Sequence, residues 1–268
     1  MKMNLKTAIQ ILKSAGIDSP EYDARAIFKA YGCEAILATA ESDNSELISA
    51  IERRAKREPL QYILGSVGFY REEYFVSPAC LIPRPDTEIL VDYAVKNIPC
   101  GESFIDLCTG SGCVAISTLK NTVGTRAIAL DLSVETIEVA RKNAEHNGVS
   151  DRIEFIHGDA CSKAYGGKIF ALLSNPPYVA DRVYEGLEGE IFHEPKMAFV
   201  GGEDGGDFYR SLTPRLIPHL EERGFIAFEI GYDQVPLMEL LAKENRLTLE
   251  VIYDLGKNPR VAVLRPGT

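Results

Sequence analysis

The chain has no apolar run near 18 residues, no Cys-x-x-Cys pair and no two histidines at i, i+4 spacing. Without such a run, a membrane-spanning helix is not expected. Six cysteines (33, 80, 100, 108, 113 and 161) form no framework and four histidines are scattered, so free thiols and no structural metal are expected. Met1-Lys-Met-Asn-Leu-Lys6 lacks the apolar segment of a signal peptide, which points to the cytoplasm. A basic face is missing too. Net charge is −10, with −1 in residues 1–80 and −9 in the remainder. Phosphate neutralisation needs a basic surface, so direct nucleic-acid binding is not expected. Arg53-Arg54-Ala-Lys56-Arg57 is the local exception, and reads as the solvated face and C-terminal end of a helix. Repeats and low-complexity stretches are absent.

What is present describes an ordinary globular protein: 268 residues, 46% hydrophobic and 25% charged. Residues 1–60 read as helical. Leu5, Ala8, Ile9, Ile11 and Leu12 share a face, with Gly16 where a C-cap would stand. Asp18 or Ser19 caps a second helix with Pro20 at its first position, and a third begins near Ser45. This small unit reads as a recognition domain. Residues 61–82 suggest a β-hairpin linker, with Val67-Gly-Phe-Tyr and Tyr74-Phe-Val flanking Arg71-Glu-Glu73. Residues 83–268 form the main domain. Its helical start is capped by Asp86 or Thr87, and from residue 103 strands alternate with helices. That pattern predicts a mostly parallel, Rossmann-like sheet covered on both faces. The last two strands are joined only by Leu255-Gly-Lys-Asn-Pro-Arg260, too short for a crossover, so they form an antiparallel hairpin.

Asp106-Leu-Cys-Thr-Gly-Ser-Gly112 follows the first strand of this domain and opens a helix. Its glycines allow a tight turn and close approach to a ligand at the strand end. Asp131, at the end of the next strand, is positioned to accept from two ribose hydroxyls, and Asp159 after the third could accept from an exocyclic amine. Helix capping is the competing role for each acid. Gly110-x-Gly112-x-x-Ala115 with Asp131 also fits a dinucleotide fingerprint. Asp106 would repel a pyrophosphate and welcome a cation, and no His or Lys is placed for hydride chemistry, which favours S-adenosylmethionine over NAD.

Asn175-Pro176-Pro177-Tyr178 closes the apolar run Ile169–Ser174. Two prolines remove two N–H donors and stiffen the turn, leaving an acceptor-rich notch with an aromatic lip. It suits a group bearing two N–H donors, a carboxamide or exocyclic amine. A plain turn is the alternative.

In this order, Asp106–Gly112, Asp131 and Asn175–Tyr178 resemble class I S-adenosylmethionine-dependent methyltransferases acting on planar nitrogens. Arg84-Pro-Asp-Thr-Glu88, Glu194-Pro195 with Gly201-Gly-Glu-Asp-Gly205, Glu229-Ile-Gly231, Asp254–Arg260 and Pro59–Gly65 extend the resemblance to the release factor glutamine methyltransferases (the HemK/PrmC family) over essentially the whole chain. The resemblance implies a seven-stranded class I methyltransferase sheet preceded by a small all-α domain. It implies a monomer that methylates the glutamine of the Gly-Gly-Gln motif in class-1 peptide chain release factors, at the side-chain nitrogen. It places Cys108, Thr109, Gly110, Ser111 and Gly112 at the cofactor's methionine end, Asp131 at the ribose and Asp159–Ala160 at the adenine, with Asp106 and Asn175 also among the cofactor-binding residues. Asn175, Pro176 and Tyr178 become the catalytic residues, and Asn175 through Tyr178 hold the glutamine amide.

Two positions depart from the family. Cys108 stands where glycine is usual, which is tolerable only if the backbone there is not left-handed. Gly206 replaces a common leucine. Rival readings are a ribosomal-protein glutamine methyltransferase, an adenine-N6 nucleic-acid methyltransferase, and a non-catalytic cofactor-binding scaffold.

Overall fold

Asn4 Oδ1 accepts from Thr7 N at 2.8 Å and starts α1 (Leu5–Ser14), whose Leu5, Ala8 and Leu12 are buried at helical spacing. Gly16, at φ +71, bonds back to Lys13 O just past its end. Pro20 opens α2 (Pro20–Ala30), where Ser19 is the N-cap but makes no side-chain cap bond. Asn44 Oδ1 takes Glu46 N and Leu47 N to start α3 (Ser45–Ala55). A short α4 (Leu60–Leu64) stops at left-handed Gly65. Leu12, Ile27, Phe28, Leu47 and Ile51 form the shared core.

The basic cluster is not a purely solvated face. Arg54 is buried, with Nε on Asp23 Oδ2 at 2.7 Å, Nη2 on Glu190 Oε1 at 2.5 Å and Nη1 on Glu58 O at 3.0 Å. Two carboxylates and a carbonyl occupy the guanidinium's donors, which is what makes its burial tolerable.

This computed structural model describes residues 3–32, 42–162, 166–187 and 189–267, so Cys33 lies outside the described residues. The chain divides into two compact units, Met1–Val67 with Glu188–His193, and Gly68–Leu187 with Glu194–Thr268. The division falls within β1 (Ser66–Phe69), which pairs with β2 (Glu72–Phe75) as a hairpin. Among the described residues no helix is long and apolar enough to cross a membrane.

The larger unit continues with α5 (Glu88–Asn97), β3 (Ser103–Leu107), α6 (Cys113–Lys120), β4 (Arg126–Asp131), α7 (Val134–His146), β5 (Ile153–His157), β6 (Ile169–Ser174), α8 (Asp181–Glu185), α9 (Asp207–Leu216), β7 (Leu220–Glu229), α10 (Val235–Glu244), β8 (Leu247–Tyr253) and β9 (Pro259–Pro266). The strand order is β5-β4-β3-β6-β7-β9-β8, with the first five parallel and β9 antiparallel to both its neighbours. The expected terminal hairpin is therefore present, with β9 inserted beside β7. On one face Ile105, Leu172, Ile226 and Phe228 pack against Tyr209, Leu212, Met238 and Leu241 of α9 and α10. On the other, Phe225 meets Tyr93 of α5 edge to face at 5.4 Å.

The chain leaves β3 toward β4 on one side, while β6 lies on the other. Their carboxyl ends form a topological switch point, where open α/β sheets place ligands. Buried Asn143 braces the loop above it. Its Nδ2 donates to Ser111 O (2.9 Å) and Phe75 O (3.0 Å), and its Oδ1 accepts from Phe75 N (2.7 Å). Asn143→Ala removes the partner of three backbone polar groups, of which Ser111 O is buried and the two of Phe75 are part-buried. Urea unfolding is expected to show a loss of about 3 kcal/mol, and a loss below about 1 would mean water replaces the amide.

Candidate active site

Ser174 Oγ donates to Leu107 O at 2.6 Å and ties the ends of β6 and β3 together. The loops leaving these ends bound a cleft of about 960 Å³, counted to its open mouth, within the larger unit. Cys108, Thr109, Gly110, Ser111, Asp131, Asp159, Ala160, Asn175 and Pro177 all line it. The fold thus brings four strand ends, those of β3, β4, β5 and β6, onto one wall.

Four expected site residues are not on that wall. Asp106 is buried beneath the loop, where its Oδ2 accepts from Thr109 Oγ1 (2.6 Å) and Ala115 N (3.2 Å). Burial pushes its carboxyl up to about 7, against the pull of those two bonds. Gly112 has φ +83, and a Cβ there would meet Ile116 Cδ1 at 2.8 Å and Ala140 Cβ at 3.3 Å. Its role is packing α6 against α7. Pro176 is buried, and Tyr178 turns its hydroxyl away, to Glu229 Oε1 at 3.1 Å.

Cys108 overturns the condition set on it. Its φ is +57, a left-handed backbone that costs a non-glycine residue about 1 kcal/mol or more. Burial pushes its thiol up.

Asp131 is not the helix cap. Ser133 Oγ takes that role by accepting from Thr136 N at 3.1 Å. The Asp131 carboxylate instead receives Gly110 N (2.9 Å) and Ser133 N (3.0 Å), leaving further lone pairs at the cleft. Burial raises its pKa, countered by these backbone bonds. Asp159 Oδ1 accepts from Cys161 N at 2.8 Å, so one oxygen orders the turn and the other remains to accept.

The notch is held from behind by residues to which the sequence assigned no part in the site. Asn175 Nδ2 donates to Thr87 Oγ1 at 3.1 Å, so Thr87 serves the notch instead of capping α5. The glycine-rich segment lies against Asn175–Tyr178, with Val179 N on Phe199 O, Gly201 N on Val179 O and Asp181 N on Gly202 O. A Cβ on Gly201 would fall 2.4 Å from Pro177 O, and one on Gly205 would fall 2.1 Å from Tyr178 O. Gln234 Nε2 donates to Tyr178 O (3.0 Å) and Gly205 O (3.2 Å), clamping both segments. Arg84 lines the cleft, paired with buried Glu194, whose other oxygen takes Ile82 N at 2.9 Å. The space of the missing leucine at Gly206 is taken by Leu237 and Arg210. The motifs around Thr87, Glu194 and Gly201 were visible in sequence, but their partners lie on other elements.

The family models matching the chain are the PrmC N-terminal domain at residues 4–65 and the methyltransferase small domain at residues 85–202. A release factor glutamine methyltransferase from Caulobacter vibrioides is 34% identical over 264 residues, covering 94% of this chain and 91% of its own length. The chain belongs to the release factor glutamine methyltransferase family. A second member, from Moorella thermoacetica, is 34% identical over 91% of this chain and 89% of its own length. Among solved structures, a methyltransferase from Pyrococcus furiosus superposes with a TM-score of 0.54 at 18% identity, covering 73% of this chain and 89% of that one. At that identity the likeness concerns the fold, a class I methyltransferase sheet.

The two loop glycines separate binding from stability. A Cβ on Gly110 meets nothing within 4 Å and faces space, while one on Gly112 collides. Gly112→Ala is expected to cost about 2–4 kcal/mol in urea unfolding. Gly110→Ala should cost about 1 kcal/mol and weaken binding of S-adenosylmethionine, the methyl donor implied above, at least tenfold by calorimetry. Equal effects of the two on stability would contradict this division.

Proposed function

We propose that this chain transfers a methyl group from S-adenosylmethionine to the side-chain amide nitrogen of the glutamine in the Gly-Gly-Gln motif of class-1 peptide chain release factors. The observation that carries this reading is the orientation of Asn175. With Nδ2 occupied by Thr87, its Oδ1 remains as an acceptor at the cleft, which is what a primary amide requires.

The residues present fit the methyl donor. Ser111 Oγ is a buried hydroxyl with no hydrogen-bond partner, beside an open Gly110. Asp131 keeps acceptor capacity for a pair of ribose hydroxyls, and Asp159 with Ala160 offers an acceptor and an apolar contact for adenine. Bound there, S-adenosylmethionine supplies a methyl group on a sulfonium, open to attack by a nitrogen lone pair.

An amide nitrogen is a weak nucleophile because its lone pair is delocalised into the carbonyl. In our reading Asn175 Oδ1 and the Pro176 carbonyl accept its two N–H groups, fix its direction and stabilise the positive charge that develops on it. Alignment of this kind supplies up to about 7–11 kcal/mol, and aimed acceptors add to it. Tyr178, expected as a lip on the planar amide, instead packs against the core with its hydroxyl on Glu229 and supports the notch from behind. The nitrogen gains the methyl and then releases a proton to solvent, since the alkylated amide is strongly acidic. No general base is required.

Mass spectrometry of a release factor incubated with the protein and S-adenosylmethionine is expected to show one added methyl on the Gly-Gly-Gln peptide. Asn175→Ala should reduce the rate by at least about a thousandfold with cofactor affinity nearly unchanged. No methylation by the intact protein would exclude this substrate. Equal loss of rate and cofactor affinity would exclude this role for Asn175.

The helical unit is assigned to the body of the release factor. Tyr22 on α2 is 70% exposed and offers an aromatic anchor. Tyr22→Ala is expected to raise KM for the release factor about fivefold, leaving KM for cofactor unchanged. An unchanged release-factor KM would remove this helix from the contact.

A further inference from the structure

Glu229, at the carboxyl end of β7, is buried at 2% exposure beneath the notch, and the chemistry above does not use it. Its Oε1 accepts from Tyr178 OH at 3.1 Å, and its Oε2 is buried without a hydrogen-bond partner. The Thr87 hydroxyl is near enough to favour its ionised form. Its backbone is fixed as well, because Tyr209 OH donates to Glu229 O at 2.7 Å.

A threonine hydroxyl has a single proton. While Thr87 Oγ1 accepts from Asn175 Nδ2, that proton must go elsewhere, and Glu229 is the buried acceptor beside it. A carboxylate accepts only: its Oε1 already takes the Tyr178 proton, and its unpartnered Oε2 is free to take the Thr87 proton, which would leave the Thr87 lone pairs to Asn175. Were the acceptor lost, Thr87 could donate to Asn175 and the amide could turn its NH₂ to the substrate. Two donors would then face each other.

We propose that Glu229 is a positioning residue for methyl transfer: by orienting the hydroxyls of Thr87 and Tyr178, it keeps Asn175 Oδ1 turned toward the substrate amide. This rests on the function proposed above. The groups facing Glu229 are Asp86 and Thr87 before α5, Tyr178 after β6, Arg260 on β9, Tyr209 on α9 and Cys113 at the start of α6. Burial raises its carboxyl to about 7. Thr87, Tyr178 and Arg260 pull it down, and Asp86 pushes it up. The working form is the carboxylate, so kcat should fall as pH drops through about 7.

Steady-state kinetics on the full chain with release factor and S-adenosylmethionine tests this. Glu229→Gln introduces two N–H donors. It is expected to lower kcat 10- to 100-fold with cofactor KM unchanged, and to abolish the acid limb near pH 7. Thr87→Val should reproduce the loss, Thr87→Ser should retain most of the rate, and the Glu229→Gln/Thr87→Val pair should lose little more than either alone. The side-chain amide signal of Asn175 in ¹⁵N NMR should shift or broaden in Glu229→Gln, a readout independent of turnover. Wild-type kcat in Glu229→Gln, an acid limb that survives it, additive losses in the double variant, or an unmoved Asn175 signal would each overturn the proposal. Should Glu229→Gln fail to fold, the Val and Ser variants of Thr87 decide it, with equal rates counting against it. An inactive wild-type protein would instead sink the reading of the substrate.

Discussion

The 2.6 Å hydrogen bond from Ser174 Oγ to Leu107 O joins the two strand ends from which the site is built. The glycine loop departs from one and the Asn-Pro-Pro-Tyr turn from the other, and this buried contact reinforces the β3–β6 ladder at the origin of both. Losing it would strand a buried carbonyl at about 1–3 kcal/mol and loosen the ends from which both loops depart. Alignment is the main contribution a protein makes to attack by a poor nucleophile. A common anchor for the two loops meets that requirement in the function proposed above.

The same region concentrates unfavourable terms. Cys108 is left-handed without being glycine, Asp106 and Glu229 are buried carboxyls, and Glu229 Oε2 and Ser111 Oγ lack partners. Strain and unsatisfied groups gather at ligand sites, where a bound molecule completes them. Both carboxyls are raised to about 7, above their values in an unfolded chain. Each therefore favours the fold most at low pH, and that contribution disappears as pH rises through about 7. The apolar layers between the sheet and α9 and α10 offset it.

The notch is rigid because four elements press on it. Two glycines let residues 199–205 run against the Pro177 and Tyr178 carbonyls, at positions where a Cβ would overlap an oxygen. Gln234 uses both ends of its amide, accepting from Gly231 N at 2.8 Å while donating to Tyr178 O and Gly205 O. Thr87 holds Asn175 and Glu229 holds Tyr178. Two hydrogen-bonded pairs, Asn175 with Thr87 and Tyr178 with Glu229, thus hold the turn from behind.

Read alone, the sequence determined the alternation of strand and helix, the terminal hairpin and the identity of the loop and the notch. Those features are local: apolar period, glycine at tight turns, and the loss of donors at two prolines. It also determined the family, because several short motifs stand in a fixed order. The direction each side chain takes belonged to tertiary structure. Asp106 lies under its loop and Gly112 packs two helices, since burial is set by neighbours from distant elements. Thr87 looked like a helix cap, yet it bonds to Asn175, 88 positions away. Arg54 looked solvated until Asp23 and Glu190 enclosed it. Hydrogen bonds between residues far apart in sequence leave no periodic trace, and only folding brings their partners within 3 Å.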